Sequence, residues 1–405
     1  MAENSGIQWT THSWNPWRGC TKISAGCQSC YAETMSKRNP LVLGMWGPKG
    51  TRVVAAEAQW KLPVKWNREA GETVKRWEMA AREVQSEYDY VDPYERPRVF
   101  CASLADVFEA WDGPMVDSWG TELCICHECG TFMHYSSREC KPGCTCDRAP
   151  RRLTMQDVRA RLFRLIDDTP NLDWLVLTKR PENIAKMMPA VGLPDAGVPG
   201  TLGRRIMLPN LWLGTSVENQ TAANERIPHL LRVPAAVRFL SVEPMLGPVD
   251  LEPFLAYPPF HENYKMTFGA NDFRGIDWCI IGGESGPRAR PCNVSWIRSV
   301  VEQCKAAEVP VFVKQLGANI IDRNDRGFEA ENERWAEGQH EGQPTNPEAW
   351  PTPVDVEHDL DGTIDGYQGA PVRVHLVDKK GGDMDEWPSD LRVREFPRAE
   401  AAGRS

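Results

Sequence analysis

The chain has 405 residues, 41% hydrophobic and 25% charged, which is enough for one large α/β domain with additions or for two domains. Its net charge of −9 argues against a protein coated in nucleic acid, although local basic groups such as Arg148, Arg151, Arg152, Arg161 and Arg164 are present. No apolar run reaches the roughly 18 residues of a membrane span, and the start lacks a basic-then-apolar leader, so a soluble, non-exported protein with no membrane partner is expected.

The first predicted element is a strand in IQWTTHSW, which leads into WNPWRGCTKISAGCQSCYAE with Cys20, Cys27 and Cys30. Structural zinc usually takes four protein ligands in a closed tetrahedron. Three thiolates with no fourth Cys or His nearby instead suit a [4Fe–4S] cluster that keeps one iron open. A zinc site completed by a distant ligand, or cysteines that simply pack, are the alternatives. Thirteen cysteines in a chain with no export signal favour metal or redox chemistry over disulfides.

A second strand is expected in RVFCASLADVF (98–108). Residues 113–150 then read as an insertion containing TELCICHECGTFMHYSSRECKPGCTC. The CxxCG turn places two thiolates on a tight bend, and its partner is a second cysteine group around KPGCTC, about ten residues on. Cys126, Cys129, Cys140 and Cys144 are the expected ligands of Zn2+ or of a second Fe–S cluster. Cys124, Cys146, His127 and His134 stay open as substitutes. So short an insertion has no core of its own and would serve as a metal staple.

From residue 154 onward helix and strand alternate. TMQDVRARLFRLIDD places Met155, Val158, Leu162, Leu165 and Ile166 at helical spacing behind a Thr154/Asp157 start signal. LDWLVLTKRPENI, LWLGTSVENQ, VRFLSVEPMLG, IDWCIIGGESG and VPVFVKQLG each hold a short continuous apolar run ending in polar or glycine residues, the pattern of buried parallel strands. A further helix is predicted in VSWIRSVVEQCKAAEV. The fold class expected is α/β, a complete or partial (βα) barrel, with its core over 1–112 and 151–320. Residues 321–405 read as a polar loop followed by a C-terminal segment that packs on the core.

The polar bursts follow the strands and would collect at one rim, where βα enzymes build their active sites. They carry Ser103, Asp106, Thr178, Lys179, Arg180, Thr215, Ser216, Glu218, Asn219, Ser241, Glu243, Glu284, Ser285, Lys314 and Gln315.

WNPWRGC with CQSCYAE, LTKRPE, WLGTSVENQ, RFLSVEPMLG, GGESGPRARP, VFVKQLG and the closing KGGDMDEWPSDLRVREFP resemble a phage and bacterial family of three-cysteine-motif proteins of uncharacterised function. That family in turn resembles a divergent branch of the radical S-adenosyl-L-methionine (radical SAM) superfamily. The resemblance implies a [4Fe–4S] cluster on Cys20, Cys27 and Cys30, with S-adenosylmethionine on the open iron and an external electron donor. It implies cofactor contacts from Tyr31, Ser103, Asp106, Thr215, Ser216, Glu218 and Ser241. Catalytic or substrate-placing roles would fall to Glu243, Glu284, Lys179 and Lys314, with Arg180 beside them. The spacing is C-x6-C-x2-C where the superfamily usually has C-x3-C-x2-C, and Gly282-Gly283-Glu284 follows a later strand than its Gly-Gly-Glu motif. The implied activity is modification or repair of a nucleotide, DNA or RNA in phage biology, in the host cytoplasm, with a protein partner encoded nearby. A non-catalytic Fe–S or zinc protein that binds nucleic acid or a partner, and a metal-dependent hydrolase, are the competing functions.

Overall fold

The computed structural model describes residues 2–3, 5–83, 94–134, 144–145, 148–188, 208–255, 275–322, 354–357 and 372–397. They form a mixed α/β fold built on seven parallel strands, in agreement with the strand–helix alternation of the sequence. Two compact units divide the chain: residues 1–214 with 233–236, and residues 215–232 with 237–405. No described helix is long and apolar enough to cross a membrane.

The first unit opens with β1 (Ala2–Glu3), β2 (His12–Trp14) and β3 (Trp17–Arg18), then α1 (Tyr31–Ser36), α2 (Pro40–Leu43) and β4 (Arg52–Val54). It continues through α3 (Glu57–Trp60), α4 (Leu62–Glu83), β5 (Arg98–Cys101), β6 (Met115–Val116), β7 (Leu123–Ile125), β8 (Phe132–His134) and β9 (Arg151–Arg152). Then come α5 (Met155–Asp167), β10 (Asp173–Thr178) and α6 (Ile184–Met187). Strands β2, β5 and β10 pair in parallel, with Ser13 opposite Phe100 and Val99 opposite Trp174. Their buried faces carry Trp14 and Trp174, whose rings meet edge to face at 5.8 Å, a geometry that aromatic quadrupoles favour. Helix α5 starts as the sequence predicts, with the Thr154 and Asp157 side chains capping each other's backbone N–H. It buries Val158, Leu162, Phe163 and Ile166. Helix α4, 22 residues long, has no strong periodic signal in the sequence; Pro63, Trp66 and Ala70 are buried in it, so its apolar stripe is thin.

Strand β11 (Leu211–Ser216) crosses the division, with Thr215 and Ser216 in the second unit. That unit holds α7 (Gln220–Leu231), β12 (Val237–Val242), α8 (Glu252–Leu255), β13 (Trp278–Gly282), β14 (Cys292–Asn293), α9 (Val294–Ala306), β15 (Val311–Gln315), β16 (Ile320–Asp322), β17 (Val354–Glu357) and β18 (Val372–His375). Strands β12, β13 and β15 pair in parallel, Leu240 facing Cys279 and Ile280 facing Phe312. The C-terminal segment closes the exposed edge of β15: Val313 N–H donates to Val393 and Glu395 N–H to Val311. An uncovered edge would offer unpaired backbone groups to other chains.

Candidate functional site

Cys20, Cys27 and Cys30 sit on an excursion between β3 and β4, whose antiparallel pairing forms its neck. Gly19 has φ +107°, and a Cβ there would meet the Thr51 carbonyl at 2.4 Å, so the turn into Cys20 requires glycine. Gly47 N–H donates to Cys20 O at 2.9 Å and closes the excursion on itself. Beneath it lies a sealed ion pair: Arg52 Nε and Nη2 donate to Glu109 at 2.8 and 2.7 Å, and Nη2 also donates to Thr21 Oγ1 at 2.9 Å. The guanidinium is further held 3.9 Å over the Trp111 ring.

The three thiols are free, and they do not lie within 4.8 Å of one another as a trio. Cys27 ends a short 3-10 turn, with Ser24 Oγ 3.8 Å from its sulfur, and Cys30 immediately precedes α1. Burial pushes the Cys20 thiol up to about 12, helped by Asp106 and Glu109 and opposed by Arg180. Cys30 is likewise raised, chiefly by burial.

Arg180, just past β10, joins this excursion to the strand ends. Its Nη1 donates to Asp106 Oδ2 at 2.7 Å and lies 3.8 Å from Cys20 Sγ; its Nη2 donates to Thr21 O at 2.7 Å. Asp106 also accepts from Thr178 Oγ1, Phe108 N–H and Lys179 N–H. Asp106 therefore organises the loops that follow β5 and β10. Next to it, Ala102 holds φ +67° where the chain leaves β5, a strained value for a residue with a Cβ. Ser103 Oγ accepts from Asn15, and Ser103 O accepts from the Tyr31 hydroxyl at 2.9 Å. A cavity of about 460 Å³ beside Thr21 is walled by Trp111, Glu109, Arg180 and Asn183.

In the second unit, Thr215, Ser216 and Ser241 are buried at strand ends, and Ser241 O accepts from Val217 N–H. The carboxylates there have cationic partners. Glu218 takes Arg226 at 2.7 Å, Glu243 takes Lys314 at 2.5 Å, and Glu284 takes Arg290 at 2.6 Å. Glu243 also accepts from Gln315 Nε2 at 3.3 Å, so it, Lys314 and Gln315 form one constellation. Gly283 is required for contact: a Cβ would meet Leu316 O at 2.1 Å.

The turn between β7 and β8 carries Cys126 and Cys129, and Cys144 from later in the chain joins them, the three sulfurs all within 4.8 Å of one another. Cys126 and Cys144 are 3.8 Å apart, and two thiolates bound to one tetrahedral zinc at about 2.3 Å would also stand about 3.8 Å apart. The donor set suits a thiophilic metal. Cys124 turns away and donates to Met133 O at 3.2 Å, so it does not belong to this trio. His134 stands 3.4 Å from Asp117. Cys140 and Cys146 lie outside the described residues. Phe132 docks the hairpin on Trp60, and Arg161 lies over both rings while pairing with Glu57.

Residues 4–121 and 151–344 match the family described as Protein of unknown function (DUF5131). The chain belongs to this family. No curated protein and no solved structure matches it. The DUF5131 match includes Cys20, Cys27, Cys30 and their Arg52–Glu109 support, and it omits residues 122–150, which contain the Cys126–Cys129–Cys144 cluster.

In each unit several of these residues escape sequence reading. Arg52, Glu109, Asn15, Arg226 and Arg290 sit in no motif that announces a charge partner, and the Arg52–Glu109 pair spans 57 positions.

Proposed function

We propose that this DUF5131 protein is a radical SAM enzyme in which Cys20, Cys27 and Cys30 hold a [4Fe–4S] cluster. The observation that carries the reading is the placement of three free thiols on one excursion, where Cys20 meets Arg180 at the end of a parallel βα series. Bound there with S-adenosylmethionine, the cluster would supply the electron that cleaves the sulfonium and releases a 5′-deoxyadenosyl radical. Arg180 and Asp106 hold the Cys20 end of the excursion in place, and the buried Arg52–Glu109 pair fixes its floor. The parallel strands with polar residues at their ends support this reading. The cavity beside Thr21 offers the Trp111 ring, the Arg180 guanidinium and the Asn183 amide, and the substrate class we assign is a nucleotide or nucleic acid.

The test is anaerobic purification with iron and sulfide analysis, followed by S-adenosylmethionine and dithionite. Iron near four per chain with 5′-deoxyadenosine released supports the reading, and Cys27→Ala should lose both. Zinc without iron, and no cleavage, would overturn it in favour of a metal-stapled binding protein.

A further inference from the structure

Large apolar side chains are not exposed evenly. Among the described residues nine stand well out of the fold, and five of them fall between positions 23 and 45: Ile23, Tyr31, Met35, Leu41 and Met45. Leu41 is 59% exposed and Ile23 48%. All five lie on the excursion that carries Cys20, Cys27 and Cys30, which the Gly47–Cys20 bond and the Ser36 hydroxyl bond to Gly44 O fold into one knob. Exposed apolar groups concentrated in this way mark an interaction surface.

The same stretch differs in charge from the rest of the chain. Residues 21–50 contain four cations, among them Lys37 and Arg38, against the single anion Glu33, in a protein of net charge −9. Lys37 is 73% exposed at its side chain. A basic surface on an acidic protein attracts an acidic partner at long range and orients it during encounter.

Resting on the iron–sulfur reading above, we infer that this knob is the docking surface for a small acidic electron-carrier protein, which delivers one electron to the cluster beside it. The carrier is oxidised by one electron and the cluster reduced by one; no bond is made or broken. Redox encounters bury under about 1,200 Å² and are steered by charge, which suits exposed apolar groups beside cations. A second copy of the chain fits poorly, because a two-fold contact would set Lys37 and Arg38 against themselves. Nucleic acid fits less well, since the exposed groups are mainly aliphatic and methionine and offer few faces for base stacking.

The probe is a purified acidic plant-type [2Fe–2S] ferredoxin, tested on the full chain purified anaerobically. Two readouts are needed: binding of oxidised ferredoxin at low and high salt, and the rate of cluster reduction by reduced ferredoxin against that by dithionite. Lys37→Glu with Arg38→Glu should weaken binding and slow ferredoxin-driven reduction about tenfold at low salt, with the difference shrinking at high salt. Dithionite reduction and iron content should not change. Met35→Ser with Leu41→Ser should weaken binding at both salt concentrations. Wild-type ferredoxin affinity unaltered by either pair, no ferredoxin binding at all, or loss of oligo-dT binding in its place would overturn the proposal. Salt-dependent ferredoxin binding by a chain without iron would instead sink the cluster reading and leave the surface standing.

Discussion

Arg180 gives one guanidinium nitrogen to both Asp106 and Cys20, 2.7 Å from the carboxylate and 3.8 Å from the sulfur. Burial works against that cation, yet Asp106, with Cys20 and Glu109, holds its pKa above the usual arginine value. The contact ties the loop after β10 to the first residue of the cysteine excursion.

Replacing Arg180 by Ala leaves the Asp106 carboxylate buried without its charge partner. Removing one half of such a pair costs about 3–5 kcal/mol. Arg180→Ala should therefore lower the urea unfolding free energy by roughly that amount, and Asp106→Asn in the same background should recover part of it. Additive effects of the two substitutions would argue against direct coupling.

The Arg52–Glu109 pair makes the same demand more strongly, since both side chains are essentially sealed from solvent. Glu109→Ala is expected to destabilise the first unit by about 3–5 kcal/mol. Glu109→Gln, which keeps the side-chain volume and one acceptor oxygen for Arg52 but sets an amide donor against its second N–H, should cost somewhat less. Iron retention measured on both variants reports whether the floor of the excursion matters to the cysteines above it.

Metal should partition between the two cysteine groups. Cys126→Ser or Cys144→Ser is expected to abolish zinc binding while iron on Cys20, Cys27 and Cys30 persists; Cys30→Ala should do the reverse. Elemental analysis of the three proteins decides it, and joint loss of both metals in any one of them would contradict independent sites.

Asp173 predicts a pH dependence. Burial lifts its carboxyl from the usual 3.8 to about 6, against the pull of Arg96 and Arg98. The folded state then holds the proton more tightly than the unfolded state, so this group's contribution to stability falls as pH rises from about 4 to about 6. Asp173→Asn should remove that fall, and the difference between wild-type and variant unfolding curves across this range is the measurement. A difference constant with pH would refute it.

Gly283→Ala places a methyl 2.1 Å from the Leu316 carbonyl, a backbone atom that cannot step aside cheaply. Overpacking of this kind costs about 1–3 kcal/mol. Gly6→Ala, with nothing within 4 Å of the added carbon, is the neutral control, compared by thermal unfolding.

Local pattern determined a large part of this protein. Continuous apolar runs of β-branched and aromatic residues placed the strands at 98–101, 173–178, 211–216, 237–242, 278–282 and 311–315, because a strand buried on both faces has no polar alternation to hide it. The Thr154–Asp157 pair marked a helix start for the same local reason, and CxxCG marked the turn that sets two of the three clustered thiols. Charge partnership was decided by tertiary structure alone. Asp106, Glu218, Glu243 and Glu284 read from sequence as rim carboxylates available for chemistry, and the fold places Arg180, Arg226, Lys314 and Arg290 against them. A buried carboxylate needs a partner to offset its desolvation, but that partner may come from any point of the chain that the fold brings within about 3 Å. Spacing likewise named six cysteines in the insertion, and only the turn of β7, which points Cys124 to the Met133 carbonyl, separates it from the trio that can share a metal.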